Sequence, residues 1–240
     1  MKIIKCKDYD EVSKVSAEIV ADVIKAKPDC IIGLATGSTP LGLYNGLVER
    51  YEAGELDFSK VSSFNLDEYY PISPENDQSY RYFMNKNLFD RINIDKANTH
   101  VPCGTAKDPE AAAKEYEDAI DASAGVDIQV LGIGRNGHIA FNEPEEKLYA
   151  YTHVTGLTAD TIDANSRFFA SKDEVPTKAM TMGMASIMKA RAIIILITGA
   201  NKHEALMQLL DDRITTDCPA SLLKLHGNVT VVYDEAALNG

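Results

Sequence analysis

Apolar positions come in short bursts separated by stretches of helical period. Val12, Val15, Ile19, Val20, Val23 and Ile24 fall on one face of a helix, with Asp8 or Asp10 placed to cap it. Residues 30–34 follow as a buried strand. Leu41, Tyr44, Leu47, Val48 and Tyr51 mark a second helix, for which Thr39 is the expected N-cap and Pro40 the first residue. Residues 61–66 read as another strand, residues 79–89 as a helix, residues 99–102 as a short strand and residues 108–124 as an Ala-rich helix. Residues 127–131, apolar and rich in β-branched side chains apart from Asp127 and Gln129, and the apolar run 192–198 read as strands covered on both faces. A helix to Leu210, a short helix at residues 220–225 and a last strand at residues 229–233 close the chain. This repeated strand–loop–helix order predicts an α/β fold built on a mostly parallel, doubly wound sheet with right-handed crossovers.

Three strand ends carry the candidate chemistry, because open α/β sheets bind ligands beyond the carboxyl ends of their strands. After residue 131 the chain reads Gly132-Ile133-Gly134-Arg135-Asn136-Gly137-His138, with Asn142, Glu143 and Pro144 close behind. The spacing also satisfies the dinucleotide pattern GxGxxG. That pattern requires a helix at the third glycine and an acidic residue closing a second strand about twenty residues on, and neither follows here. After residue 34, Ala35-Thr36-Gly37-Ser38-Thr39-Pro40 places hydroxyls and small residues at a helix N-terminus, which suits a phosphate, though a tight turn alone would explain it. No GK[ST] follows, so it is not a nucleotide P-loop. After residue 66, Asp67 and Glu68 are candidates for a general base or form an acidic turn.

Residues 157–180 are loosely patterned and polar, and are expected to form a lid in which Arg167 either grips an anion or makes a surface ion pair. Lys202 stands at the start of the helix after residue 198, as an anion ligand or as an exposed lysine. Met180, Met182, Met184 and Met188 read as core fillers. His100, His153, His203 and His226 have no partner pattern and read as structural or surface residues.

Composition narrows the functional classes. With 240 residues and no linker, repeat or low-complexity tract, one domain spanning 1–240 is expected. The net charge of −12 argues against nucleic-acid binding, but one or two placed cations could still hold a small anion. Four scattered cysteines, Cys6, Cys30, Cys103 and Cys218, form neither a disulfide framework nor a zinc pattern. No stretch approaches the roughly eighteen apolar residues of a membrane span, and no signal peptide is evident. A cytoplasmic setting without membrane partners is expected, and neither metal nor organic cofactor is required by the residues singled out.

The runs LATGSTP, FNLDEYY, GIGRNGHIAFNEP, ANSRFF and ITGANKHEAL, spread from residue 34 to residue 206, resemble the glucosamine-6-phosphate deaminases. The resemblance implies a Rossmann-like fold with helices on both faces of the sheet. It also implies conversion of glucosamine 6-phosphate and water to fructose 6-phosphate and ammonium in amino-sugar catabolism. Carried over by motif, Asp67 would move the proton between C2 and C1, and His138 would open the pyranose ring with Asn136 and Glu143 orienting it. Thr36, Gly37, Ser38, Arg167 and Lys202 would hold the phosphate. Larger family members have aspartate where this chain has Asn136. Hexameric ones bind N-acetylglucosamine 6-phosphate through basic residues whose counterparts here are His153 and Thr155, and they carry a longer C-terminal tail. A non-allosteric enzyme, monomeric or of low oligomeric order, is therefore expected. A 6-phosphogluconolactonase-type hydrolase, which needs no C2 base, and a non-catalytic sugar-phosphate sensor are the alternatives.

Overall fold

The structure, a computed structural model, describes residues 1–167, 169 and 171–240. Its elements run β1 (Lys2–Cys6), α1 (Tyr9–Ala26), β2 (Ile31–Leu34), α2 (Leu41–Glu52), β3 (Ser62–Asn65), β4 (Asp67–Tyr70), α3 (Tyr80–Asn87), β5 (Thr99–His100) and α4 (Pro109–Ala122). They continue with β6 (Ile128–Leu131), β7 (His153–Gly156), α5 (Ala159–Ser166), β8 (Lys178–Thr181), α6 (Met184–Met188), β9 (Ile193–Ile197), α7 (His203–Leu210), β10 (Val229–Asp234) and α8 (Glu235–Asn239).

Seven strands pair in parallel in the order β1-β10-β9-β6-β2-β3-β5. From β2 the chain moves outward to β3 and β5, then returns to β6 on the other side of β2 and moves away through β9 and β10. With right-handed crossovers, connections running in opposite directions lie on opposite faces of the sheet. The reversal falls between β2 and β6, where a doubly wound sheet opens its ligand crevice. The two glycine-bearing loops foreseen in the sequence leave those two strands.

The inner strands are covered throughout: β2, β6 and β9 are buried at every position. Asp8 caps α1 by accepting the Glu11 N–H at 3.0 Å, and Asp108 caps α4 in the same way through Ala111. The expected cap at Thr39 is not made. Pro40 itself occupies the N-cap position, without a side-chain hydrogen bond, and its carbonyl accepts the Tyr44 N–H at 3.0 Å. β1 and α8 add to the expected elements; β1 is a largely exposed edge strand whose alternation is too weak to mark it.

A second, three-stranded antiparallel sheet, β4-β8-β7, is the main departure from the expected pattern. Asp67–Tyr70, expected as a loop, is one of its edge strands. Residues 178–180, expected within the lid, lie in its central strand, where Ala179, Met180 and Thr181 are buried. The lid segment is thus an excursion between paired strands, closed at its base by the Leu157 N–H on the Thr177 carbonyl at 2.8 Å. It includes α5, capped by Thr158, and a 3-10 turn at Lys172–Glu174; Phe168 and Ala170 of this segment lie outside the described residues. Tyr69, Ile72, Phe141 and Ala179 form a small apolar cluster beneath it, against which Tyr80, Leu157 and Phe169 pack.

Candidate active site

The glycines after β6 build a turn around a histidine. Gly134 donates to the His138 carbonyl at 2.9 Å, and a Cβ at Gly134 would lie 2.2 Å from His138 Nδ1, so the imidazole can fold back only over glycine. Gly137 has φ +83° and sits against Cys218, leaving no space for a side chain. Ala140 is a non-glycine residue at φ 55°. The turn is fixed from behind by Asn142, whose amide donates to the carbonyls of Ile139 and Met182 at 3.0 and 2.8 Å.

This turn brings Asn136, His138 and Glu143 together. Oε2 of Glu143 accepts the Asn136 amide at 2.7 Å and lies 3.2 Å from His138 Nδ1. Its other oxygen accepts the hydroxyls of Thr158, at 3.2 Å, and Thr161. Burial alone would raise the Glu143 pKa; the His138 hydrogen bond and charge, with the bonds from Thr161 and Asn136, instead hold it down at about 2. Glu143 is therefore a permanent carboxylate facing His138 Nδ1. It selects the tautomer that carries its proton there and leaves Nε2 for chemistry.

Asp67 starts β4 one residue beyond Leu66, whose N–H bonds the Leu34 carbonyl at 3.0 Å and so ties it to the crest of the large sheet. It is 6% exposed, and no hydrogen bond from the described residues reaches its carboxyl group. Burial, and then the charge of Glu68, push its pKa up to about 8. Glu68 has a different environment: it accepts the N–H groups of Tyr69, Tyr80 and Arg81 at 2.9, 2.8 and 2.9 Å, holding the start of α3. Burial pushes the Glu68 pKa up as well, to about 7, against the pull of these three N–H groups; Asp67 differs in that no donor from the described residues holds its oxygens.

Thr36, Gly37 and Ser38 lie at the end of β2, the neighbour of β6, with Gly37 at φ +97°. Their loop is held from below, by Tyr44 donating to the Ala35 carbonyl at 2.5 Å and Tyr9 donating to the Ser38 carbonyl at 3.1 Å. Lys202 stands beyond β9, and its Nζ donates to the Ile133 carbonyl at 2.6 Å, linking that strand end to the glycine turn. Burial, then the charges of Arg135 and Arg167, lower its pKa to about 8. Three cations thus share one side of the crevice. Arg135 was not singled out in the sequence, although a basic residue inside the glycine turn is a signal in itself.

The remaining histidines are structural. His100 stacks on Phe64 at 4.5 Å and His153 on Tyr149 at 4.1 Å, while His203 and His226 bond backbone carbonyls. The four cysteines are free. Among the described residues no cluster of His, Cys, Asp or Glu is arranged to hold a metal ion, and no helix is long and apolar enough to cross a membrane.

A family model described as glucosamine-6-phosphate isomerases/6-phosphogluconolactonase matches residues 8–232. Glucosamine-6-phosphate deaminase of Clostridium beijerinckii is 54% identical over 239 residues, covering 100% of this chain and 99% of that protein. The enzyme of the same name from Clostridioides difficile is 52% identical, covering 99% of this chain and 95% of that one. Among solved structures, a monomeric glucosamine-6-phosphate deaminase superposes with a TM-score of 0.98 at 44% identity, covering 100% of this chain and 99% of that one. A 6-phosphogluconolactonase from Thermotoga maritima, with a TM-score of 0.76 at 23% identity over 97% and 98% of the two chains, shares the fold. Its sheet order, its glycine turn and these full-length likenesses agree: the chain belongs to the glucosamine-6-phosphate isomerase/6-phosphogluconolactonase family.

Proposed function

We propose that this chain is a glucosamine-6-phosphate deaminase of carbohydrate metabolism, converting glucosamine 6-phosphate and water to fructose 6-phosphate and ammonia. The observation that carries the reading is Asp67: a buried carboxyl group that no donor among the described residues holds, with its pKa pushed up to about 8, beside a crevice lined with cations. Hydrolysis of a lactone needs a base only to activate water and none at C2, whereas moving a proton between C2 and C1 requires a carboxylate that both takes and returns it.

His138 carries the proton from O1 to the ring oxygen as the pyranose opens, and Glu143 and Asn136 hold it for that transfer. The open-chain aldehyde makes the C2 proton acidic. Asp67 removes it to give an enolamine and returns it to C1, leaving an iminium at C2. Water adds to that carbon, and the C2–N bond breaks to release ammonia. Thr36, Gly37 and Ser38, with Arg167 and Lys202, hold the phosphate away from the reacting carbons and fix their orientation; Arg135 joins this set. Residues 157–177 act as the lid.

The reaction is hydrolytic at C2, the setting is cytoplasmic, and the enzyme works without an allosteric effector, as a monomer or low-order oligomer. His153, where larger relatives carry a basic residue, is buried against Tyr149, and its pKa is lowered by that burial, so it offers no charge to an effector phosphate at neutral pH.

The test is release of ammonium and fructose 6-phosphate from glucosamine 6-phosphate, with and without N-acetylglucosamine 6-phosphate. Hyperbolic kinetics unaffected by the effector are expected, with activity lost in Asp67→Asn and His138→Gln. A silent wild type that still binds substrate would replace this reading with a sensor; activation by the effector would overturn its non-allosteric part.

A further inference from the structure

Glu143 divides its two oxygens between two parts of the chain. Oε2 takes the donors of its own turn, Asn136 and His138, and Oε1 takes the hydroxyls of Thr158 and Thr161 from the lid. Thr158 at the same time accepts the Thr161 N–H at 3.2 Å, the capping bond of α5. A carboxylate offers about four lone-pair sites, and these four donors occupy them. Thr161 is 6% exposed, so water does not stand in for its hydroxyl while α5 is docked. Arg167, at the other end of the eight-residue helix, acts by charge on Lys202.

We infer that Thr158 and Thr161 are positioning residues: with α5 docked they complete the hydrogen-bond shell of Glu143 and so hold His138 for ring opening, and with α5 displaced they release the pair. The inference rests on the deaminase reading for the reaction it serves. It gives the lid a role beyond excluding water. A phosphate drawn to Arg167 at one end of α5 brings two donors to the catalytic carboxylate at the other, so binding energy remote from C1 and C2 sets the geometry of the reacting groups.

Thr161→Val keeps the side-chain shape and removes the donor. The expected result is a kcat lower by about tenfold or more, as for other losses of orientation, with KM changed by less than about threefold because Thr36, Gly37, Ser38 and Lys202, outside α5, still hold the phosphate. Thr161→Ser should restore most of the lost kcat. Amide hydrogen exchange across α5 should accelerate in both Thr161→Val and Glu143→Gln and stay unchanged in Asp67→Asn. A wild-type kcat in Thr161→Val, or a loss that serine does not rescue, overturns the inference. If the wild type releases no ammonium, the deaminase reading has failed separately; the exchange experiment then stands alone, and unchanged α5 exchange in both variants overturns the coupling.

Discussion

Two carboxylates in this molecule are equally inaccessible and electrostatically opposite. Asp67, at the start of a strand in the small sheet, and Glu143, at the end of the glycine turn on the large one, are each 6% exposed. Glu143 meets four donors, and its pKa falls to about 2; Asp67 meets none among the described residues, and its pKa rises to about 8. Burial raises the pKa at both sites; at Glu143 the His138 charge and the hydrogen-bond donors more than offset it, and at Asp67 it stands unopposed. One region stores a fixed negative charge that orients a histidine, and the other keeps a carboxyl group poised to gain and lose a proton.

The sharpest consequence is that neutralising each group should have opposite effects on stability. Asp67 has a folded pKa above its unfolded value, so its contribution to stability is fully present below pH ~4 and is lost as pH rises toward 8. Asp67→Asn removes that loss, and at pH 8 the variant should be more stable than wild type by about 2 kcal/mol while its turnover falls by about a thousandfold or more. Glu143 has a depressed pKa, so its contribution is present above pH ~4.5 and is lost as pH falls toward 2. Glu143→Gln sets an amide N–H against existing donors and should cost about 1–3 kcal/mol at neutral pH. Urea midpoints for the two variants, measured together, check this; shifts of the same sign would show that burial alone governs both sites.

How legible these two regions were in the sequence also differs. The large sheet could be read because β9 is an uninterrupted apolar run, β6 is apolar apart from Gln129, and their glycine ends stand out. The small sheet could not. Its strands are four residues each, DEYY, HVTG and KAMT, too short and too polar to show a period, and their pairing joins distant parts of the chain. The same distance hid the difference between Asp67 and Glu68, which depends on N–H groups at the start of α3. Asn136, His138 and Glu143 were visible as a local motif, whereas Thr158 and Thr161, polar residues in a weakly patterned stretch, gave no sign that they face Glu143. The cap expected at Thr39 failed because the proline after it supplies the helix start by itself.

A smaller effect should appear in the pH profile. In its proposed role as the C2 base Asp67 must be ionised, so kcat/KM should rise about tenfold per unit below pH ~8, the range set by its raised pKa. Lys202, with its pKa lowered to about 8, loses its charge above that value, so in its proposed role as a phosphate ligand it should bind more weakly and kcat/KM should fall on the alkaline side. In the complex the phosphate charge favours protonated Lys202, and the alkaline limb should move upward in kcat relative to kcat/KM. Profiles of both parameters for wild type and Lys202→Arg test the assignment, since arginine keeps its charge and should remove the alkaline limb. An alkaline limb unchanged in Lys202→Arg would assign it to another group.

The smallest expected effect probes what the Glu143 region stores besides charge. Ala140 lies between His138 and Glu143 with φ 55°, a conformation that disfavours an L side chain by about 1–2 kcal/mol. Glycine would relieve that strain but gain about 0.4–1 kcal/mol of unfolded-state entropy, so Ala140→Gly should stabilise the fold by only about 0.5–1 kcal/mol. Its effect on turnover is the more telling quantity. The Ile139–Asn142 bridge and the two Asn142 bonds hold the turn whether or not residue 140 is strained. If those bonds fix the geometry of His138 and Glu143, Ala140→Gly keeps kcat within about twofold of wild type. A larger drop would mean that the strained alanine itself limits how far the turn can open, and that Glu143 owes its position to backbone stiffness as well as to its donors.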